Sequence, residues 1–249
     1  VDIAYSLDWN TMGVEQDIAN GSQNVIQLKA GRIYRGLPYT HGNNSVHAFV
    51  DHFSEVDENG VYTLSGVKSE HFNGLDGLTP TGCARLGTDC ADAVFWAWAH
   101  ISPSISFNLT KYMTGVQGCL PVGGYTCTKA VYDEATSVVI EQNGRDVMLE
   151  CYAQLQPGDG MVFINKSLSG HAVMCVGVNV VRNEDGTING DESYIYIIDQ
   201  AQSWETVTNE EGTEVLKITI GTEYYDFDEN AFYDSVLQSY NNCYLRMSY

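Results

Sequence analysis

A cysteine at the point where a tight turn becomes an apolar helix constrains this chain more than any other feature. Residues 87–89 read Gly-Thr-Asp, and Cys90 follows them directly. Thr88 or Asp89 can cap the helix, which places Cys90 in its first turn. Apolar residues then recur at helical spacing, and Pro103 ends the element. The pattern predicts a helix that begins at Cys90 and packs one face against a core.

The position of Cys90 favours a chemical role. A helix N-terminus carries partial positive charge and unpaired N–H groups, which stabilise a thiolate relative to a thiol. The thiolate is the form in which a cysteine acts as a nucleophile. The alternative interpretation is a buried cysteine that only packs, because free cysteine is among the most buried residue types. A base elsewhere in the chain would favour the first interpretation.

A candidate base and its orienting residue lie on two later strands. His171 comes just before an apolar strand at residues 172–181, and residues 194–200 return as the partner strand after a hairpin loop. Asp199 and Gln200 end that second strand. Because side chains alternate along a strand, only one of the two can reach the imidazole. A helix-borne cysteine, a histidine and a polar residue form the arrangement of a thiol nucleophile.

Composition restricts the partners of the chain. The 249 residues include 32 acidic and 12 basic side chains, for a formal net charge of −20. Such a charge repels phosphate groups, so we expect neither nucleic acid nor an anionic membrane surface as a partner. No apolar run approaches the length of a membrane span. The histidines show no ligand spacing, so we expect no metal. The sequence gives no reason to expect an organic cofactor either.

The cysteines and the start of the chain bear on its compartment. Seven cysteines are an odd number, and a full disulfide framework would leave Cys90 as the spare thiol. Cys119 and Cys127 can bridge across a glycine-rich loop, although a reduced protein fits equally well. The chain opens at Val1 without a leader, which indicates a removed leader or a trimmed sequence. We expect a secreted or cell-envelope protein, and the sequence does not indicate its oligomeric state.

Helices precede strands in the predicted order of elements. Helical patterning is predicted at residues 14–28, 46–53, 90–101, 128–153 with a break at 143–144, and 230–238; strands are predicted at 161–164, 172–181, 194–200, 215–220 and 243–247. Several helices followed by antiparallel strands are typical of the α+β class. We expect a single domain over residues 1–249, with insertions at about residues 43–82 and 103–150.

Four short sequence blocks follow one another along the chain: residues 36–39 (Gly-Leu-Pro-Tyr), residues 87–90 (Gly-Thr-Asp-Cys), residues 155–163 and residues 170–177. Taken in this order, the blocks resemble the NlpC-type cysteine peptidases of bacterial cell-wall turnover, a branch of the papain-like superfamily. The first two are similar to the family's G-x-P-Y loop and G-x-D-C nucleophile block. The last two are similar to its L-x-P-G-D-L-V-F turn and strand and to its H-V-G-I-Y-x-G strand.

The chain departs from the family pattern at two points. The family cysteine is usually followed by Ser-Gly, where this chain has Ala91 and Asp92. The third residue of the family triad is often a histidine, where this chain has Asp199 or Gln200.

The resemblance implies a papain-like fold, with the nucleophile helix packed on a central antiparallel sheet. It implies a bacterial cysteine hydrolase that cleaves amide bonds in cell-wall peptides, with Cys90 as nucleophile, His171 as general base and Asp199 as the residue that orients the base. The expected substrate is a peptide or a peptidoglycan fragment. Substrate contacts are expected from Tyr39, Asp89, Gly170 and Gln200.

Two alternative functions stay open. One is an amidase or acyltransferase on the same scaffold. The other is a catalytically inactive binding module, in which Cys90 is unreactive or disulfide-bonded.

Overall fold

The computed structural model describes residues 7–10, 16–19, 25–29, 31–39, 44–66, 85–101, 119–126, 136–164, 170–227 and 242–247. Cys127 and the helix predicted at residues 230–238 lie outside these ranges. The chain divides into two compact units, of which the first comprises Val1–Ala93 and Gln200–Gly221, and the second Val94–Asp199 and Thr222–Tyr249. The single domain with two insertions stays a prediction.

The described residues form short strands first and long strands later. The strands are β1 (Asp8–Asn10), β2 (Gln16–Ala19), β3 (Val25–Leu28), β4 (Ile33–Arg35), β5 (Asn44–Ser45), β6 (Phe53–Val56), β7 (Tyr62–Leu64), β8 (Arg85–Leu86), β9 (Cys119–Pro121), β10 (Gly160–Ile164), β11 (Gly170–Asn179), β12 (Tyr194–Thr208), β13 (Glu214–Asp226) and β14 (Asn242–Met247). The helices are α1 (Val46–Asp51), α2 (Cys90–Ile101), α3 (Thr136–Asn143) and α4 (Arg145–Tyr152), and a 3-10 turn covers Val122–Gly124.

The sheet of the first unit is mixed, with the strand order β6-β7-β1-β4-β13-β12. The pairs β1–β7 and β4–β13 are parallel, whereas β1–β4 and β6–β7 are antiparallel. Trp9, Tyr34 and Phe49 form the aromatic core here, since the Trp9 ring centroid lies 5.1 Å from that of Tyr34 and 5.4 Å from that of Phe49. The predicted combination of helices with a sheet is confirmed, but the prediction of an antiparallel sheet is wrong for this unit.

The first 66 residues also contain more strand than the sequence pattern predicts. The helix predicted at residues 14–28 is instead the antiparallel pair β2–β3, and β6 and β7 lie within residues 43–82, where only a helix and an insertion were predicted. Strands of three or four residues are too short for an alternating pattern to be read. The short helix predicted near residue 46 is confirmed as α1.

The second unit contains the strands predicted near residues 161–164, 172–181, 194–200 and 243–247. Two details differ from the prediction, because β12 continues to Thr208 and β9 lies where no strand was predicted. The order is β12-β11-β10-β14-β9, and the β11–β12, β10–β11, β10–β14 and β9–β14 pairs are antiparallel. Gly144 separates α3 from α4, at the predicted break. No helix among the described residues has the length and apolar character that a membrane span requires.

The turn before β10 fixes the later part of α2 in the second unit. The indole Nε1–H of Trp98 donates to the carbonyl of Gly158 at 2.7 Å. A Cβ atom at Gly160 would lie 2.7 Å from Trp98 Cζ2, so only glycine allows this contact. The later part of α2 therefore packs against the start of β10 in this unit.

Among the described residues, Cys90 and Cys151 are buried free thiols. A disulfide framework that pairs every cysteine except Cys90 is therefore wrong, because Cys151 is a free thiol as well.

Candidate active site

Cys90 is the first residue of α2, and Asp89 caps the helix. The Asp89 Oδ1 atom accepts the N–H of Asp92 at 2.8 Å, and the Asp89 carbonyl accepts the N–H of Ala93 at 3.0 Å. This is the geometry of an N-cap. Of the two predicted caps, Asp89 therefore serves, while the Thr88 hydroxyl donates to the Asp89 carbonyl at 3.1 Å. The sulfur of Cys90 consequently lies at the positive end of the helix dipole.

A tyrosine hydroxyl contacts the sulfur of Cys90. Tyr39 donates its O–H to Cys90 Sγ at 3.6 Å. Burial raises the pKa of Tyr39 far above its ordinary value of 10.0, and the negative charges of Cys90 and Asp89 raise that pKa further. The hydroxyl therefore keeps its proton throughout the neutral range, so it can donate to a thiolate at any pH near neutrality.

The segments that carry Tyr39 and Cys90 are bound directly to each other. Tyr39 and Thr88 form a parallel bridge, in which the Thr88 N–H donates to the Pro38 carbonyl at 3.1 Å. A Cβ atom at Gly87 would lie 2.1 Å from that same oxygen, and Gly87 has a φ of +128°. Only glycine fits there. The structure thus joins two of the four blocks noted in the sequence, residues 36–39 and 87–90.

His171 and Asp199 form a hydrogen-bonded pair within the second unit, in which the carboxylate is buried and the imidazole is partly exposed. His171 Nε2 lies 2.6 Å from Asp199 Oδ1, and Asp199 is only 3% exposed. When Nε2–H donates to the carboxylate, a neutral imidazole carries its acceptor lone pair on Nδ1. An imidazole oriented in this way can accept a proton at Nδ1 and share the resulting positive charge with Asp199.

Gln200, the alternative partner for His171, bonds to other groups. Its Nε2 donates to the carbonyls of Leu37 at 3.3 Å and Thr88 at 3.4 Å, and its Oε1 accepts the hydroxyl of Thr219 at 3.1 Å. These four residues belong to the first unit. The choice that the sequence leaves open is therefore resolved geometrically, with Asp199 against the imidazole.

Asp89 and Gly170, which were also predicted to contact substrate, lie at the start of α2 and at the start of β11. Asp89 is the helix cap and is 8% exposed. Gly170 is the first residue of β11 and pairs with Ile164. Their contact with substrate stays a prediction. Thr219 was missed by sequence reasoning, because a threonine within an apolar strand is ordinary strand composition and gives no separate signal.

The candidate groups are distributed over both units of the chain. The first holds a cysteine at a capped helix N-terminus with a hydroxyl donor, and the second holds a histidine oriented by a carboxylate. No group of three or more histidine, cysteine or acidic residues in the described part of the chain is arranged to hold a metal ion.

Comparison with known proteins adds little to this geometry. No family model matches the chain, and no curated protein matches it. A solved structure described as a novel NlpC/P60 endopeptidase from Photobacterium damselae subsp. piscicida is similar at 14% identity, with a TM-score of 0.28. The similarity covers 98% of this chain and 53% of that one, so the chain spans about half of that protein's length. A likeness of this size carries no argument about fold or activity.

Proposed function

We propose that this chain is a cysteine hydrolase that cleaves an amide bond in bacterial cell-wall peptides, with Cys90 as nucleophile, His171 as general base and Asp199 as the residue that orients the base. The observation that carries the proposal is the position of Cys90 as the first residue of a capped helix, with the Tyr39 hydroxyl 3.6 Å from its sulfur. The choice of cell-wall peptides follows the four sequence blocks that resemble NlpC-type peptidases.

The groups that face the sulfur of Cys90 support a nucleophile. The sulfur lies at the positive end of the α2 dipole, and the Tyr39 O–H donates to it at 3.6 Å. The carboxylate of Asp89, the preceding residue, accepts the N–H of Asp92 through Oδ1. The contact between His171 and Asp199 supports a base, since a buried carboxylate 2.6 Å from Nε2 stabilises the imidazolium that forms in catalysis.

The proposed reaction has two stages. In the first, His171 Nδ1 takes the proton of the Cys90 thiol, and the sulfur attacks the carbonyl carbon of the substrate. The N–H of Cys90 donates to the oxyanion that results. The C–N bond then breaks, the imidazolium gives its proton to the leaving amine, and a thioester to Cys90 is left. In the second stage, His171 takes a proton from water, and the hydroxide attacks the thioester. The C–S bond then breaks, the imidazolium returns its proton to the sulfur of Cys90, and the acid product leaves.

The first test measures whether Cys90 is an activated thiol. The protein is treated with iodoacetamide at pH 5 to 9, and mass spectrometry gives separate alkylation rates for Cys90, Cys151 and Cys175. At pH 6 we expect Cys90 to react at least about tenfold faster than the other two thiols. In His171→Ala we expect that advantage to fall, because the thiol has lost its base. Peptides released from purified peptidoglycan are then incubated with the wild-type protein and with Cys90→Ser, and mass spectrometry gives the masses of the products.

Each outcome selects one function. Wild-type products that gain the mass of one water at a broken amide bond support the hydrolase. Products in which the acyl group has moved to an added amine, such as glycine, indicate an acyltransferase instead. A Cys90 that reacts no faster than Cys151 and Cys175, together with intact peptides, contradicts the proposal and favours an inactive binding module.

A further inference from the structure

We infer that Gln200 is a positioning residue that holds Tyr39 against Cys90, and that it acts through the backbone carbonyls of their segments. The inference rests on the proposed role of Cys90 as nucleophile. It replaces the expectation from sequence that Gln200 contacts substrate or orients His171.

The contacts of Gln200 join the two segments at equivalent points. Its Nε2 group donates to the carbonyl of Leu37, two residues before Tyr39, and to the carbonyl of Thr88, two residues before Cys90. One amide group therefore bonds the backbone on both sides of the contact between the Tyr39 hydroxyl and Cys90 Sγ.

The orientation of the Gln200 amide is determined by its partners. The two carbonyl oxygens can only accept, so they require the NH₂ end of the amide. Thr219 supplies the complementary donor, because its Oγ1–H bonds to Gln200 Oε1 at 3.1 Å. Rotating the amide by 180° would turn its oxygen toward two other oxygens. Thr219 thus selects the orientation in which Gln200 holds both segments.

Burial makes these bonds effective. Gln200 is 1% exposed, Thr219 0% and Thr88 1%, so water does not replace a lost partner cheaply. The same burial argues against direct substrate contact by the Gln200 side chain, whose two N–H donors are both used by backbone carbonyls.

The test uses three variants of the full chain. Gln200→Glu replaces the NH₂ donor by an oxygen that faces the two carbonyls. Thr219→Val removes the hydroxyl but keeps the shape of the side chain, and Thr219→Ser is the matched control that keeps the hydroxyl. The exchange rate of the Thr88 amide, measured by NMR, reports the contact of that N–H with the Pro38 carbonyl without any reference to catalysis.

We expect the Thr88 amide to exchange about fivefold faster or more in Gln200→Glu and in Thr219→Val, and within about twofold of wild type in Thr219→Ser. The Cys175 amide, which donates to Asp159, is the control and keeps its rate. The alkylation rate of Cys90 at pH 7 falls by a similar factor in the first two variants. In Gln200→Glu it recovers relative to wild type as the pH is lowered, because a protonated carboxyl can donate to a carbonyl again.

Three results would overturn the inference. The first is a folded Gln200→Glu and a folded Thr219→Val in which the Thr88 amide exchanges at the wild-type rate. The second is faster exchange with no change in Cys90 alkylation, which would make Gln200 structural only. The third is a rise in KM for the peptide substrate at constant kcat, which would make it a substrate contact.

The inference and the proposed function fail in different ways. If wild type leaves cell-wall peptides intact but exchange and alkylation change as expected, the hydrolase proposal fails and the role of Gln200 stands. If Gln200→Glu does not fold, the comparison of Thr219→Val with Thr219→Ser decides alone.

Discussion

Two helix ends in this chain each carry a buried thiol, and they differ in polarity. Cys90 is the first residue of α2, where the dipole is positive, and Cys151 lies in the last turn of α4, where it is negative. Cys90 is 5% exposed and Cys151 1% exposed. Burial raises the pKa of Cys151, and the charge of Glu150 raises it further, although the N–H of Tyr125 opposes the shift.

The difference shows that burial does not by itself identify a packing cysteine. Both sulfurs are surrounded by protein, but the Tyr39 hydroxyl donates to Cys90, whereas the environment of Cys151 favours the uncharged thiol. The end of the helix and the partner of the sulfur therefore distinguish a candidate nucleophile from a structural thiol.

Removing each sulfur tests the comparison most severely. In Cys90→Ser we expect hydrolysis of peptidoglycan peptides to fall by about 10⁴-fold or more, because the nucleophile is lost. In Cys151→Ser we expect a rate within about twofold of wild type. Steady-state rates at matched concentrations of folded protein check both. Equal losses of hydrolysis rate in the two variants would contradict the distinction between a nucleophile at Cys90 and a structural thiol at Cys151.

The packing of Cys151 can be disturbed without touching Cys90. In Gly123→Ala the new Cβ would lie 2.8 Å from Cys151 Sγ at a φ of +76°, so we expect a loss of about 3 kcal/mol in the free energy of unfolding. Gly124→Ala is the matched control, with a φ of +73° and no atom within 4 Å, and should lose about 1 kcal/mol. Urea denaturation measures both. Equal losses would mean that the contact with Cys151 contributes nothing.

The N-cap of α2 contributes less to the free energy of unfolding. In Asp89→Ala we expect that free energy to fall by about 1 kcal/mol, because the N–H of Asp92 loses its acceptor. Asp89→Asn keeps an oxygen for that N–H, so we expect a loss of only a few tenths of a kcal/mol. The N-cap of α4 is Gly144, which makes no side-chain cap bond, so this contribution is specific to the Cys90 end. Urea denaturation is again the measurement, and an unaffected Asp89→Ala would contradict the assignment of the cap.

The smallest expected effect depends on pH and concerns the ion pair between Arg182 and Glu150, the residue before Cys151. Arg182 bonds to Glu150 at 2.7 and 2.8 Å and lowers the pKa of that carboxyl below its ordinary value of 4.5. A lowered pKa in the folded state stabilises the fold above pH 4.5, and this stabilisation is lost as the pH falls through the folded pKa. Since both side chains are nearly half exposed, Arg182→Gln should lower the Tm by no more than about 2 °C at pH 7.

That difference in Tm should shrink as the pH is lowered below 4.5, and thermal unfolding at pH 3 to 7 measures it. A difference that grows at low pH would reverse the sign and contradict the ion pair as its source.

Local sequence determined the elements whose signals lie within a few residues of one another. The Gly-Thr-Asp turn before an apolar stretch is sufficient to begin a helix at Cys90, and Gly144 is sufficient to break one, because capping and chain reversal depend on adjacent backbone groups. The long strands β11 and β12 were predicted for the same reason, since five or more apolar residues within ten positions establish a pattern.

Tertiary structure alone decided everything that depends on a distant partner. The parallel pairs β1–β7 and β4–β13 each include a strand of only three residues, whose pairing is set by the neighbouring strands. Asp199 and Gln200 are adjacent polar residues that local sequence cannot distinguish, yet one bonds to His171 and the other to Leu37 and Thr88. The sequence alone indicates which residues can take part in a reaction. Whether each of them is a candidate base, a helix cap or a positioning amide depends on partners up to 163 positions away along the chain.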